Sequence, residues 1–543
     1  MEFQLEDFRC GNDLATLRAA VAACRAHPGS VLTVPPGMYH LSDPQALALQ
    51  EQALSGQLGE NPERVIFRPY YPHVKGLDFA GCQDVTVRAR NATFWVHGWM
   101  EPISLRQCQG VTLEGLTLDM AVRPFSEGWI IQADETSLTV ALKPDAPLRP
   151  GSPTPRCFAY DPVSRRFSGE DLGVRGVDWL GEGLVRLRVD RSAAQVGQGV
   201  ALWHSFHFRP AVLIEDARNI TLRDVTIHSH AGMGIVGNRS RDITLDGLRV
   251  VPAPGRWLST NTDATHFTAC KGALNVIGCQ FAGQGDDAIN VHGFYQSIQS
   301  HAGREAVLRV EAPTGTHAQQ LEAPEAGDIL SLVRRENLTR ADAYRVCSVE
   351  PLPEAWQCRV LLDRELPEDA QAYYLEDIDR YPHLRMVNCS VHSHLARSVL
   401  IKCRQAEVLG CSVEGCTGTA IVVAAEGSWQ ESGGSERICI RGNRLIGTGY
   451  GEHGRMQGAC GIMVGVQAPQ EDGQGIHDQV TIADNLIEGA GAPLGIYVGN
   501  ARRVRILHNA LSGCEAAIQT LACGRAEIQG NRWTDEKGVV HDV

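Results

Sequence analysis

The sequence predicts an all-β fold, a right-handed parallel β-helix with two small inserted antiparallel β-barrel or sandwich domains, and three observations lead there. Short segments recur every 22 to 24 residues along much of the 543-residue chain. Each unit holds two or three strands of about five residues, alternating apolar and polar positions and separated by Gly, Asn or Asp. No helical period lies between the strands, which separates this repeat from a leucine-rich one.

Residues 1–122 read as a cap and the first coils. NDLATLRAAVAAC has the spacing of a short amphipathic helix, with Asn12 or Asp13 placed to cap it. VLTVPPGMYHL follows as strand, turn and strand. The repeat becomes recognisable near residue 84, at DVTVRARNATFWV. Later starting points are separated by 23 residues (219 to 242), 22 (384 to 406), 24 (480 to 504) and 22 (504 to 526). Two stretches break the period, 123–210 and 295–381, and both contain alternating strands of their own, such as TSLTVALKP and CRVLLDREL. They read as inserted β domains, the second expected to wall the cleft beside the acids. Coils carrying the acids fill 211–294, and C-terminal coils fill 382–543. Asn443, Asn485, Asn509 and Asn531 recur at equivalent turns, where stacked amides would bond from coil to coil.

Net charge is −13 and the basic residues do not cluster, so nucleic acid is not an expected partner. No apolar run reaches the length of a bilayer crossing. The first residues, MEFQLEDFRCGNDLATL, show no basic segment followed by an apolar one, so no signal peptide is visible. Seventeen cysteines, none in a C-x-x-C pair, read as small reduced core fillers, which favours a reducing compartment. The sequence leaves localisation and oligomeric state open, and no cofactor is expected.

The chemistry concentrates at GQGDDAINVHG (283–293), with adjacent Asp286 and Asp287 on a glycine-rich turn, and at NTDATHF, which carries Asp263. The separations of 23 and 24 residues match the period, so Asp263 belongs one coil away from the pair. Laying ATHFT, AINVH, SVLIK and GIVGN over one another turns Ile235, Thr265, Phe267, Ile289, Val291, Val399 and Ile401 inward. His266, Asn290, His292 and Lys402 then face outward, and Arg397 aligns with Asp263 and Asp287. Two acids that grip a water, with a third facing them across a sugar-sized gap, suit glycoside hydrolysis. Turn-capping aspartates and a Ca²⁺ site are the competing readings. Among the tryptophans Trp129, Trp203, Trp257 and Trp429, Trp257 is nearest to an acid in sequence and is expected to stack on sugar.

These motifs carry resemblances. The N-terminal helix followed by PPG-x-Y resembles the entrance of pectin-lyase-like β-helix proteins. NTD, GDD, a nearby HG and a later IK resemble the inverting polygalacturonase-type hydrolases of family 28, although NTDA replaces NTDG and VHG follows the acids at once. NTDATHF and GDDAINVHG within a β-helix bearing β inserts resemble glycoside hydrolase family 110 more closely. Those are exo-α-1,3-galactosidases acting on blood-group-B-like or linear α-1,3-galactosyl glycans, and the resemblance covers essentially the whole chain. It implies Asp286 as general acid, Asp263 and Asp287 as base, inversion, and a galactose-terminated oligosaccharide or glycoconjugate as partner. His266, Asn290, His292, Arg397, Lys402 and Trp257 are the candidate substrate-binding residues. A uronate hydrolase, and a glycan-binding tailspike or adhesin without activity, are the alternatives.

Overall fold

The computed structural model describes residues 1–68, 71–310, 322–353, 356–451, 454–470 and 475–543. One face of the β-helix is a thirteen-stranded parallel sheet running from Glu2–Gln4 to Arg525–Gln529. Its register stacks like on like: Ile220, Ile243, Leu274, Leu384, Ala406, Ile438, Val480 and Val504 lie in one column. All eight are buried. Burying a Leu or Ile side chain contributes about 1.5–3 kcal/mol, and the column continues for as long as the apolar alternation does. The coil-to-coil alignment is also observed, with Ile235 beside Thr265, Thr265 beside Ile289, and Ile289 beside Val399.

Coils begin earlier than the repeat is legible. The first rung is Glu2–Gln4 on Val31–Thr33, which pairs in turn with Thr86–Arg88. Helical excursions between these rungs hide the period. The helix Asp13–Ala26 is capped by Asn12, whose Oδ1 accepts from the Ala15 N–H at 2.9 Å, and it turns Leu14, Leu17, Ala20, Val21 and Cys24 into the core. A second helix, Pro44–Leu54, has no counterpart in the sequence reading. Asp43 caps it, and Pro44 occupies a first-turn position where no N–H is needed.

Both inserts are antiparallel. The first is a seven-stranded sheet spanning Phe125–Ala133 to Gly199–Trp203, packed around Leu138, Val140, Leu187 and Leu202. The second is a closed barrel of six strands, Ile289–Ala302, Glu305–Arg309, Gln357–Leu362, Arg340–Leu352, Ile329–Arg334 and Tyr373–Asp377, the last returning to the first. Its opening strand is the same strand that forms the coil under Asp287. The coil above resumes directly, with Leu274 beside Leu384.

The asparagines form a continuous ladder. Asn443 Nδ2 donates to Asn485 Oδ1, Asn485 Nδ2 to Asn509 Oδ1, and Asn509 Nδ2 to Asn531 Oδ1, each at 2.9 Å. All seventeen cysteines are free and most are buried, as small fillers should be. Among the described residues no helix is long and apolar enough to cross a membrane.

Candidate active site

Three successive coils build the floor of the site. Asp263, Asp287 and Arg397 occupy equivalent corners. The Ala264 N–H donates to the Asp287 carbonyl at 3.0 Å, and the Ala288 N–H to the Arg397 carbonyl at 3.2 Å. One carboxylate oxygen from each of Asp263, Asp286 and Asp287 lies within 4.8 Å of the others. The turn that presents the pair depends on Gly285. A Cβ there would come 2.2 Å from the Asn261 carbonyl and 2.8 Å from Trp203 Nε1. The same Trp203 indole donates to that carbonyl at 3.0 Å, which presses the Gly-Asp-Asp turn onto the first insert.

The acids open into a pocket of about 350 Å³. Arg156, Phe206 and His207 of the first insert wall it on one side, and Glu426, Trp429 and Glu431 on another. The second insert is expected as the wall, but among its described residues from 295 to 381 none lines the pocket; the barrel's opening strand contributes only Asn290, at its coil end. Asp263 and Asp287 are 5% and 2% exposed, whereas Asp286 is only partly buried and so is the acid most open to a ligand.

Each acid has a different neighbour. Arg397 forks onto Asp287, at 3.1 Å to Oδ1 and 3.0 Å to Oδ2, and its backbone N–H adds a bond at 2.9 Å. Asp263 Oδ2 lies 2.6 Å from His266 Nδ1. Burial and the charge of Asp287 push the Asp263 carboxyl up, while His266 opposes them. Asp286 is raised well above the usual carboxylate range by burial and by Asp287 and Asp263; Arg156 and Arg397 offset only part of this. A protonated Asp286 between an arginine-paired carboxylate and a histidine-paired one is equipped to give a proton. With Arg397 and His266 in contact with two of the three acids, the donor set suits proton transfer better than a divalent cation.

Six of the nine candidate residues meet here: Asp263, Asp286, Asp287, His266, Asn290 and Arg397 all line the pocket. Asp286 does not stand across a sugar-sized gap from the other two, because the tight turn keeps it beside them. His292 and Lys402 do face outward from their strands, yet both are fully buried one layer behind the pocket. Lys402 contacts Glu431 and lies 3.0 Å from Glu426. Trp257 lies outside the pocket. It stacks on Tyr160 at 5.0 Å between ring centroids, with Lys143 Nζ 3.5 Å from its ring centre, because the segment before Asp263 packs onto the first insert. Trp429, 41% exposed, takes the lining position instead.

Sequence reasoning missed Glu426, Glu431, Arg156 and His207. Glu426 carries a signal, since it ends the apolar run IVVAA in the coil after Lys402. Glu431 follows on a two-residue strand, Glu431–Ser432, that folds back onto Gly293 and Phe294. Arg156 and His207 come from the first insert, whose residues have no periodic relation to the coils.

No family profile matches the chain. It aligns with curated proteins named α-1,3-galactosidase. The A form of Bacteroides fragilis is 25% identical, over 97% of this chain and 90% of that protein. The B form of Bacteroides thetaiotaomicron is 24% identical over 80% and 72%, and that of Akkermansia muciniphila 25% over 91% and 63%. Among solved structures, the mannuronan C-5 epimerase AlgE4 A-module of Azotobacter vinelandii covers 97% of this chain and 100% of its own at 11% identity and a TM-score of 0.44. An exopolygalacturonase of Thermotoga maritima covers 100% and 94% at 10% identity and a TM-score of 0.38.

Proposed function

We propose that this homologue of curated α-1,3-galactosidases is an exo-acting glycoside hydrolase that removes terminal α-1,3-linked D-galactose from blood-group-B-like or linear α-1,3-galactosyl glycans. The observation that carries the chemistry is the contrast among three converging acids. Asp286 alone is part-exposed and strongly raised, so it serves as general acid to the leaving oxygen. Asp263 and Asp287, on adjacent coils, hold and deprotonate the attacking water. The bond from water oxygen to the anomeric carbon forms as the glycosidic bond breaks, and β-galactose is the first product.

A pocket of about 350 Å³ is at the small end of ligand sites and suits one terminal sugar better than a long polymer. Its polar lining suits hydroxyls: Asn290 Oδ1 has no partner among the described residues, and Glu426 and Glu431 stand ready to accept. A uronate fits poorly. Arg397 is committed to Asp287 and Glu426, Lys402 to Glu426 and Glu431, and Arg156 faces Asp286. The closest approach of the acids, within 4.8 Å, is shorter than the roughly 6.5–9.5 Å separation usual for inversion, so stereochemistry is the decisive measurement. Proton NMR of a fresh digest of an α-1,3-digalactoside should show β-galactose before α-galactose. Early α-galactose would move Asp263 from base to nucleophile. Cleavage of polygalacturonate alone, or binding without cleavage of either glycan, would reject the galactosidase assignment.

A further inference from the structure

Behind the pocket floor, a chain of four groups has its hydrogen-bond directions fixed from one end. The Gly293 carbonyl can only accept, so His292, whose Nδ1 lies 2.7 Å away, carries its hydrogen on that nitrogen. His292 is fully buried, and burial drives its pKa down to about 3, so the ring is neutral and its Nε2 presents a lone pair. His266 Nε2, 2.9 Å from that atom, must therefore donate to it. The other nitrogen of His266 is 2.6 Å from Asp263 Oδ2. Two bare lone pairs at that distance would repel, so a further proton lies between them. Whether drawn as imidazolium with carboxylate or as imidazole with carboxylic acid, the pair has no net charge.

The surroundings do not release this constraint. Among the described residues, the charged or titratable groups facing the pair are Asp286, Asp287 and His292 on the next coil, His207 from the first insert, Glu431 from the short strand and Lys402 behind His292. Asp287 is matched by Arg397, and Lys402 sits between Glu426 and Glu431.

We propose that His266 is a positioning residue for the base: held in one tautomer by His292, it keeps one shared proton against Asp263 Oδ2, so that Asp263 and His266 act as a single neutral pair. This rests on the assignment of Asp263 to the base made above. In turnover the other oxygen of Asp263 takes the proton of water, and the proton in the 2.6 Å contact stays with His266. The water oxygen bonds to the anomeric carbon, and Asp286 gives its proton to the departing oxygen.

The test has a substrate-free arm and a kinetic arm. Enzyme labelled with nitrogen-15 histidine should show a strongly hydrogen-bonded imidazole proton far downfield, absent in His266→Asn. In kcat/KM against pH, His266→Asn should move the acidic limb upward by about one unit or more, because Asp263 loses the donor that opposes its protonation. His292→Leu frees the tautomer and should give a smaller upward shift. His292→Gln can still accept from His266 and should keep the wild-type limb, which also carries the test if His266→Asn does not fold. An unmoved limb in His266→Asn, equal shifts in the two His292 variants, or no downfield proton would each overturn the proposal. A wild type that shows the proton but cleaves no α-galactoside would instead support the pair and reject the substrate assignment.

Discussion

Asn485→Ala tests whether the amide ladder holds the C-terminal coils together, and its cost can be counted from the bonds. Asn485 Oδ1 accepts from the backbone N–H and the Nδ2 of Asn443, at 3.0 and 2.9 Å. Its own Nδ2 donates to the Ile440 carbonyl at 3.1 Å and to Asn509 Oδ1 at 2.9 Å. Alanine removes all four, but their orphans differ in cost. Asn509 Oδ1 keeps the Asn485 backbone N–H at 3.0 Å, so it is not stranded. The Asn443 backbone N–H, in a residue 2% exposed, loses its acceptor inside the coil, whereas Asn443 Nδ2 keeps the Val408 carbonyl at 3.0 Å. At about 1–3 kcal/mol for one buried unsatisfied group, the loss is at least about 1–3 kcal/mol, a sizeable share of the roughly 5–15 kcal/mol that stabilises a typical domain. Urea unfolding followed by far-ultraviolet circular dichroism should show it as a lower midpoint. Asn531→Ala, at the ladder's last rung, breaks only three side-chain bonds and should cost less. A midpoint for Asn485→Ala within about 0.5 kcal/mol of wild type, or a larger loss at Asn531, would refute the reasoning.

Three further outcomes follow from the site and its supports. Asp286→Asn should lower kcat on a natural α-1,3-galactoside by about 10²–10⁴-fold, and far less on an aryl galactoside whose leaving group needs no proton; equal losses on both would reassign the acid. Arg397→Met strands Asp287, 3% exposed in its side chain, while Glu426 keeps Lys402 at 3.0 Å, and should cost about 3–5 kcal/mol in a thermal or urea melt; a neutral substitution would show that the fork is ornamental. Glu101 is fully buried, which alone would raise its pKa, but Arg209, His73 and Arg106 hold it well below the usual range. Its contribution is therefore complete above the unfolded-state pKa of about 4.3 and is lost as pH falls below it, so Glu101→Gln should flatten the acid side of a stability-against-pH curve. An unchanged slope would count against that pairing.

Much of this molecule was legible because a coil imposes a period. Asp263, Asp287 and Arg397 could be stacked from the sequence since each precedes an alternating strand by the same count, and the side-chain period of two then dictated which neighbours face out. Facing out proved different from facing a ligand. His292 and Lys402 point away from the coil core yet are covered, because Glu426 and the strand Glu431–Ser432 fold over them, and a non-periodic return of that kind leaves no mark in a repeat alignment. Trp257 misled for a related reason: nearness to Asp263 in sequence says nothing about the sheet of another domain on which it rests. The helix Pro44–Leu54 announces itself through Asp43-Pro44, but it was obscured by the expectation that coils follow one another without interruption. Arg156 lies outside any period and becomes visible only when the first insert is laid against the coils.

The splice of the barrel into a single coil also gives the site a history in time. Asp287 and the Arg397 that forks onto it are 110 residues apart in the chain, although their coils are adjacent. At synthesis rates of about 5–20 residues per second, the aspartate waits roughly 5–20 s for its guanidinium. During that interval the coil below has no coil above, and its upper strand edge is open to whatever else will pair with it. The barrel's six strands are made in the same interval, and one of them is the continuation of that coil. Until Leu384 is made and pairs with Leu274, the edge of the acid-bearing coil has no parallel neighbour from the chain that follows it.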